Sequence, residues 1–245
     1  MVLAIAVIPA RLEARRLPRK PLLRETGKYL IQHVYEQASQ AEGLAAVVIA
    51  TDSEEIVAAC KGFGARAIMT SAAHPSGTDR VAEAARILAA EGFRFDAVVN
   101  VQGDEPELDP RHIEQLLPLL DAAPMATLAE RISDEADFQR SQVVKVVLDE
   151  AGNALYFSRA PIPYAMSEDG PPALRHLGIY AYRADFLQET TKLAPTALES
   201  GERLEQLRVL SHGHRIRVGI VPGTGARGID TPEDYRAFLE RSRQA

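Results

Sequence analysis

A chain of 245 residues, 46% hydrophobic and 25% charged, has the make-up of an ordinary globular protein able to bury a sizeable core. Its formal charge of -6 argues against a dedicated nucleic-acid surface or a polybasic membrane surface and leaves small polyanions as partners. The single cysteine, Cys60, excludes an internal disulfide and suits a reducing cytoplasm.

The apolar start MVLAIAVIPA has no basic leader and is too short to span a bilayer. Val2 to Ile8 is therefore expected as a first strand, with no membrane insertion. A basic loop follows, in which Arg11, Arg15, Arg16, Arg19 and Lys20 fall within ten residues among Pro9, Pro18 and Pro21. Cations directly after a strand suit phosphate, through bidentate arginine and the compact charge of lysine. A solvated basic loop is the plainer alternative. Apolar spacing predicts a helix over 28–41, with Leu30, Ile31, Val34 and Ala38 inward, then a strand over 45–50, which makes a βαβ unit. Ser53 is expected to cap a helix through Gly62, with Glu54 and Glu55 near its positive end. Ile56, Ala59, Cys60 and Phe63 share one face of it, so Cys60 reads as a packed thiol. A strand over 65–69 and a helix over 78–90, apolar at Val81, Ala84, Ala85 and Leu88, come next.

Phe95 to Pro106 is the stretch around which the chain is organised. Ala97, Val98, Val99 and Val101 read as a buried strand that breaks into Gln102, Gly103, Asp104, Glu105 and Pro106. Ligands of open parallel sheets sit beyond the carboxyl ends of strands, so the two acids put hard oxygens suited to magnesium over a crevice. Gly103 would permit close approach of a ligand. The alternative is a turn opened by Asp104 ahead of Pro106 and Pro110. A helix over 110–120 continues the alternation, which implies a parallel, helix-covered sheet with right-handed crossovers.

After Met125 the pattern changes. Stretches 143–149 and 154–158 read as a β-hairpin turning at Ala151, Gly152 and Asn153, and 176–182 as a further strand. Between them, 161–172 is a polar, proline-rich loop. A helix over 202–210, a strand over 216–221 and a closing helix over 232–242, capped by Thr231, complete the chain. With no linker or repeat, a single domain over 1–245 is expected. Gly223, Gly225 and Gly228 spell GxGxxG, but Thr231 and Pro232 open the helix and only 17 residues follow Gly228, too few for another strand and its ribose-binding acid. A dinucleotide fold is thus not expected. His212 and His214 lack the third ligand of a zinc site.

Eight separated motifs carry a resemblance: IPAR at 8–11, LPRKPL at 17–22, SGTDR at 76–80, NVQGDEP at 100–106, ALYFSRAPIP at 154–163, RHLGIYAYR at 175–183, LEQLRVL at 204–210 and DTPED at 230–234. Together they resemble the 3-deoxy-manno-octulosonate (KDO) cytidylyltransferases, or CMP-KDO synthetases, over nearly the whole chain. The resemblance implies a nucleotide-diphospho-sugar-transferase-like α/β sheet and a cytoplasmic homodimer whose hairpin and dimerisation region is about 143–183. It implies a reaction in which CTP and an acidic eight-carbon sugar give the CMP-sugar and pyrophosphate for lipopolysaccharide assembly. By the same resemblance Arg11, Arg16 and Lys20 hold the triphosphate, and Ser76, Gly77 and Arg80 form the cytosine-nucleotide pocket. Asp104 and Asp230 hold Mg2+ and, with Lys20, are the catalytic residues. Gln102, Arg159, His176, Tyr180, Glu205 and Gln206 face the sugar, where an anionic substrate needs a fixed cation and hydroxyl partners.

Read alone, Asp230 could equally be the residue before a helix at Thr231, Ser76 an N-cap, His176 a satisfied structural group and Glu205 a surface charge. The chain departs from the family pattern at Ala14 and Arg15, where small hydroxylic residues are usual, at Arg19, usually glycine, and at Pro75, often glutamine. Lys20 precedes Pro21 and is expected to be extended, so that if Lys20 faces the phosphates Arg19 faces away. An 8-amino form of the sugar, a sialic acid, or a catalytically silent nucleotide-binding protein are the alternatives.

Overall fold

The apolar runs of the first half are short, continuous and rich in β-branched residues, which suits strands buried on both faces. The computed structural model describes residues 3–13, 16–166, 170–223 and 228–244. Val2, Ala14, Arg15 and Gly225 lie outside the described residues. Two compact units emerge, one of Met1–Glu114 with Thr224–Ala245 and one of Gln115–Gly223. The alternation of elements gives the mostly parallel α/β architecture expected, with the hairpin added to it.

In the first unit the chain runs β1 (Ala4–Ala10), α1 (Leu30–Ala38), β2 (Leu44–Thr51), α2 (Glu54–Gly62), β3 (Arg66–Met69), α3 (Gly77–Ala90), β4 (Ala97–Asn100) and α4 (Pro110–Leu116). The strand order is β3-β2-β1-β4 and every pairing is parallel. β1 is therefore central, and Ile5, Val7 and Ile8 are fully buried. Val81, Ala84, Ala85 and Leu88 of α3 are buried as their spacing requires, and Ser53 and Ser76 cap α2 and α3 through their side chains. Cys60 is buried in α2, and loss of water pushes its thiol up to about 11, so it packs rather than reacts. The helix expected over 110–120 stops at Leu116 and continues as a 3-10 turn, Leu117–Asp121. Pro118 is the cause, since it offers no N–H to an α-helical ladder.

The closing helix, Pro232–Ser242, starts at a reciprocal capping box between Thr231 and Asp234. Its Tyr235 and Phe238 pack with Leu17, Leu30 and Ile229. The Tyr235 hydroxyl donates to the Glu25 carboxylate; burial and that partner push the phenol up to about 12. This cluster fixes both the basic loop and the approach to Asp230.

The second unit contains β5 (Met125–Arg131), α5 (Glu135–Gln139), β6 (Lys145–Leu148), β7 (Ala154–Ser158), β8 (Leu174–Arg183), α6 (Ala184–Thr190), α7 (Ala197–Glu202), α8 (Gln206–Ser211) and β9 (Ile216–Val221). β5 pairs parallel with β9 and antiparallel with β8, while β6 and β7 form the expected antiparallel hairpin. β5 itself escapes the sequence reading, because its run ends in a buried acid, Glu130, whose carboxylate pairs with Arg175 at 2.6 Å. The helix expected over 202–210 is present only as α8, from Gln206, while Glu202 ends the preceding α7. Arg203 adopts a left-handed conformation at φ 55° and breaks the ladder.

Candidate active site

Cations and acids far apart in the sequence meet beyond the carboxyl ends of β1 and β4. After β4 the chain passes β1 so closely that a Cβ on Gly103 would lie 2.7 Å from the Pro9 carbonyl oxygen. The close approach expected of a ligand at this glycine is made by the backbone of β1 instead. Asp104 follows, and its carbonyl accepts from the Ile229 N–H at 2.8 Å, which brings Asp230 alongside. Lys20 Nζ then donates to Asp104 Oδ2 at 2.8 Å and Ile229 O at 2.8 Å, and lies 3.2 Å from Asp230 Oδ1. Arg16 donates to Asp230 Oδ2 at 2.9 Å. The Lys20 side chain is 15% exposed and that of Asp104 28%, so this pairing is shielded more than a surface bridge.

Two carboxylates converging on one cation are a donor set that fits magnesium. Among the described residues no group of three or more His, Cys, Asp or Glu is placed to hold a metal. Asp104 and Asp230 would leave most of the shell to water and substrate oxygens, as magnesium-nucleotide sites commonly do.

Lys20 is not extended. Lys20–Leu22 form a 3-10 turn with Pro21 in its first turn, where the missing N–H matters least, and Arg19 before it is left-handed at φ 58°, ψ 24°. Arg19 does turn away from the partners of Lys20, by this bend rather than by strand alternation. Its guanidinium grips Glu55 in the first turn of α2, at 2.5 and 3.3 Å. That partner raises the Arg19 pKa and lowers that of Glu55.

Arg11 reaches across to the loop before α3, donating to His74 O at 2.7 Å and Ser76 O at 3.2 Å. Ser76 Oγ accepts from the Asp79 N–H and donates to the Asp79 carboxylate at 2.7 Å. A Cβ on Gly77 would lie 3.7 Å from Pro9 Cγ, so the start of α3 and the Gly103 turn both flank the end of β1. Arg80 is wholly buried and donates to Asp52 and Thr70, each at 2.7 Å. It ties the ends of β2 and β3 beneath α3.

Gln102 lies in the first unit; the other five residues assigned to the sugar lie in the second. Phe157, on β7, meets the His176 ring edge-on at 4.9 Å, and Tyr180 lies 5.4 Å from that ring. Burial lowers the imidazole pKa to about 3, so His176 is neutral at ordinary pH. Thr127 Oγ gives its one proton to a carbonyl, with Ile179 O at 2.7 Å, and therefore accepts from His176 Nε2–H at 2.9 Å. His176 Nδ1 is left as an acceptor. The cation expected for the sugar is Arg159, whose Nε donates to Glu202 O at 2.7 Å and Nη1 to Ser141 O at 3.0 Å. The Glu202 carboxylate accepts from Arg159 N at 2.9 Å and Ser158 Oγ at 2.6 Å. Glu205 is the N-cap of α8, and Gln206 beside it is buried with its Nε2 unpartnered among the described residues.

Lys145 and Glu202, which secure Arg159, escape the sequence reading. Lys145 is fully enclosed, and its ammonium donates to the carbonyls of Arg140, Val143 and Arg159 at 2.7 to 2.9 Å. Its charge in a β-hairpin gives no sign of inward orientation. A separate hollow of about 560 Å³, lined by Ile132, Asp134, Phe138, Pro163 and Tyr164 among others, includes none of the assigned residues.

The sequence model of the cytidylyltransferase family matches residues 5–216. A Syntrophobacter fumaroxidans protein named 3-deoxy-manno-octulosonate cytidylyltransferase is 50% identical over 240 residues, covering 96% of this chain and 95% of that one. A Shewanella piezotolerans protein named 8-amino-3,8-dideoxy-manno-octulosonate cytidylyltransferase is 47% identical over 234 residues, 94% of each. The solved structure of a CMP:2-keto-3-deoxy-manno-octonic acid synthetase complexed with CTP matches with a TM-score of 0.91 at 43% identity, covering 98% of both chains.

Proposed function

The chain belongs to the cytidylyltransferase family, and we propose from this that it transfers the cytidylyl group of CTP to KDO, releasing pyrophosphate. The observation that carries the reading is the meeting of Lys20, Asp104 and Asp230 around one ammonium at the end of β4. A sugar hydroxyl attacks the α-phosphorus, the bond from that phosphorus to the bridging oxygen breaks, and pyrophosphate leaves with the electron pair while the hydroxyl proton passes to solvent. No covalent enzyme intermediate is needed, so the residues act by positioning and by offsetting charge.

Lys20, Arg16 and Arg11 orient the triphosphate, and the segment Ser76–Arg80 frames the nucleoside, with Arg80 acting from beneath through Asp52 and Thr70. Magnesium held by Asp104 and Asp230 would polarise the phosphoryl oxygens and offset charge on the leaving pyrophosphate. Arg159 binds the sugar carboxylate. Neutral His176, with Tyr180, Gln102, Glu205 and Gln206, serves its hydroxyls. We place the protein in the cytoplasm as a homodimer formed through 143–183, supplying lipopolysaccharide assembly, and read 1–245 as one catalytic domain; a monomer by light scattering would contradict the dimer.

The 8-amino sugar is the second reading, favoured by the Shewanella relative. Pyrophosphate release measured with CTP, magnesium and each sugar separates the two, and release with neither refutes the proposal.

A further inference from the structure

Two of the three residues assigned to phosphate, Lys20 and Arg16, sit on the two carboxylates assigned to the metal. Three of the four carboxylate oxygens are taken in this way: Asp104 Oδ2 and Asp230 Oδ1 by Lys20, and Asp230 Oδ2 by Arg16. Lys20 also donates to Ile229 O, so its ammonium is held by three oxygens from two loops in a mostly enclosed position. An ammonium among carboxylates occupies the position where a divalent cation would bind, and like charges cannot share it.

We propose that Lys20 is a gate: it bars a divalent cation from Asp104 and Asp230 until a nucleoside triphosphate draws its ammonium onto phosphate. This rests on the site assignment made under the proposed function. A triphosphate offers Lys20 several anionic oxygens in exchange for two carboxylates, and its own oxygens complete a metal shell that two aspartates cannot. Nucleotide and metal then bind with positive coupling, each clearing the way for the other, as linkage requires. Lys20 positions the carboxylates in the empty protein and the phosphates in the loaded one. The 3-10 turn that carries it hinges at the left-handed Arg19, whose anchor on Glu55 stays put while the lysine side chain swings.

Mn2+ binding to the full chain without nucleotide, followed by the paramagnetic signal of free Mn2+, tests the gate. Lys20→Ala and Lys20→Gln should bind Mn2+ at least about tenfold more tightly than the wild type, corresponding to roughly 1.4 kcal/mol. Adding Asp104→Asn to either variant should abolish that gain. Far-ultraviolet circular dichroism on the same samples checks that the variants are folded, and the glutamine variant keeps the side-chain bulk if the alanine variant is not. Wild-type affinity equal to that of the folded variants overturns the gate. If the variants gain affinity but keep it with Asp104→Asn, the metal is elsewhere and the site assignment falls with the gate. If Asp104→Asn abolishes Mn2+ binding by wild type and variants of equal affinity, only the gate falls.

Discussion

Lys145→Met removes an enclosed ammonium while keeping most of the side-chain volume. Its three acceptors fare differently. Arg140 O still accepts from Val143 N at 3.2 Å, but Val143 O and Arg159 O lose the lysine donor that reaches them at 2.7 and 2.8 Å. A carbonyl left without a donor costs about 1 to 3 kcal/mol where water does not replace the lysine, or roughly 2 to 6 for these two half-buried residues together. Burial already lowers the Lys145 pKa, so removing the charge returns part of its desolvation cost. The net expectation is a loss of about 3 kcal/mol in unfolding free energy, read from urea denaturation. Because the same ammonium fixes the main chain of Arg159, the variant should also raise the apparent KM for the acid sugar more than that for CTP. A loss below about 1 kcal/mol would show that water or backbone movement satisfies the carbonyls, and equal KM changes would detach Lys145 from the sugar subsite.

Asp104→Ala and Asp230→Ala should each lower turnover about a hundredfold or more with the fold intact, checked by steady-state rates beside circular dichroism. Lys20→Ala should be similarly severe, whereas Arg19→Gly should change CTP kinetics only a few fold, with a difference that shrinks as salt rises. A salt-insensitive loss beyond tenfold in Arg19→Gly would contradict the outward placement of Arg19. For His176, the unfolded imidazole titrates near 6.5 and the folded one at about 3, so between those values the unfolded chain binds the extra proton. Its contribution to stability is therefore full above about pH 6.5 and falls as the pH drops towards 3; His176→Gln should flatten that part of the stability profile.

The first unit was legible because its elements follow local rules: continuous apolar runs for β1 and β4, and hydroxyl caps at Ser53, Ser76 and Thr231. The basic loop and Asp104 were legible as charges set directly after strands of one sheet, but the meeting of Asp230 with them came only from the resemblance, since a contact across 210 residues leaves no periodic trace. The conformation of the basic loop misled for a local reason. The residue before a proline is biased to extended backbone, but the left-handed turn at Arg19 overrides it, a conformation glycine adopts without strain, which suits the glycine that the resemblance implies there. In the second unit, Glu130 and Lys145 are buried charges whose pairing partners lie on other strands or in backbone carbonyls, so polarity concealed a strand in one case and an anchor in the other. Arg203 ends α7, so the helix expected from Glu202 begins only at Gln206, and nothing in the arginine side chain marks a left-handed residue.

Cytidylyl transfer to an acid sugar can be followed by phosphorus-31 spectroscopy of the protein mixed with CTP, magnesium and KDO. A phosphodiester signal from CMP-KDO should grow in step with pyrophosphate and be lost in Asp104→Ala. CTP left intact with both KDO and its 8-amino form, or UTP consumed as readily as CTP, would contradict it.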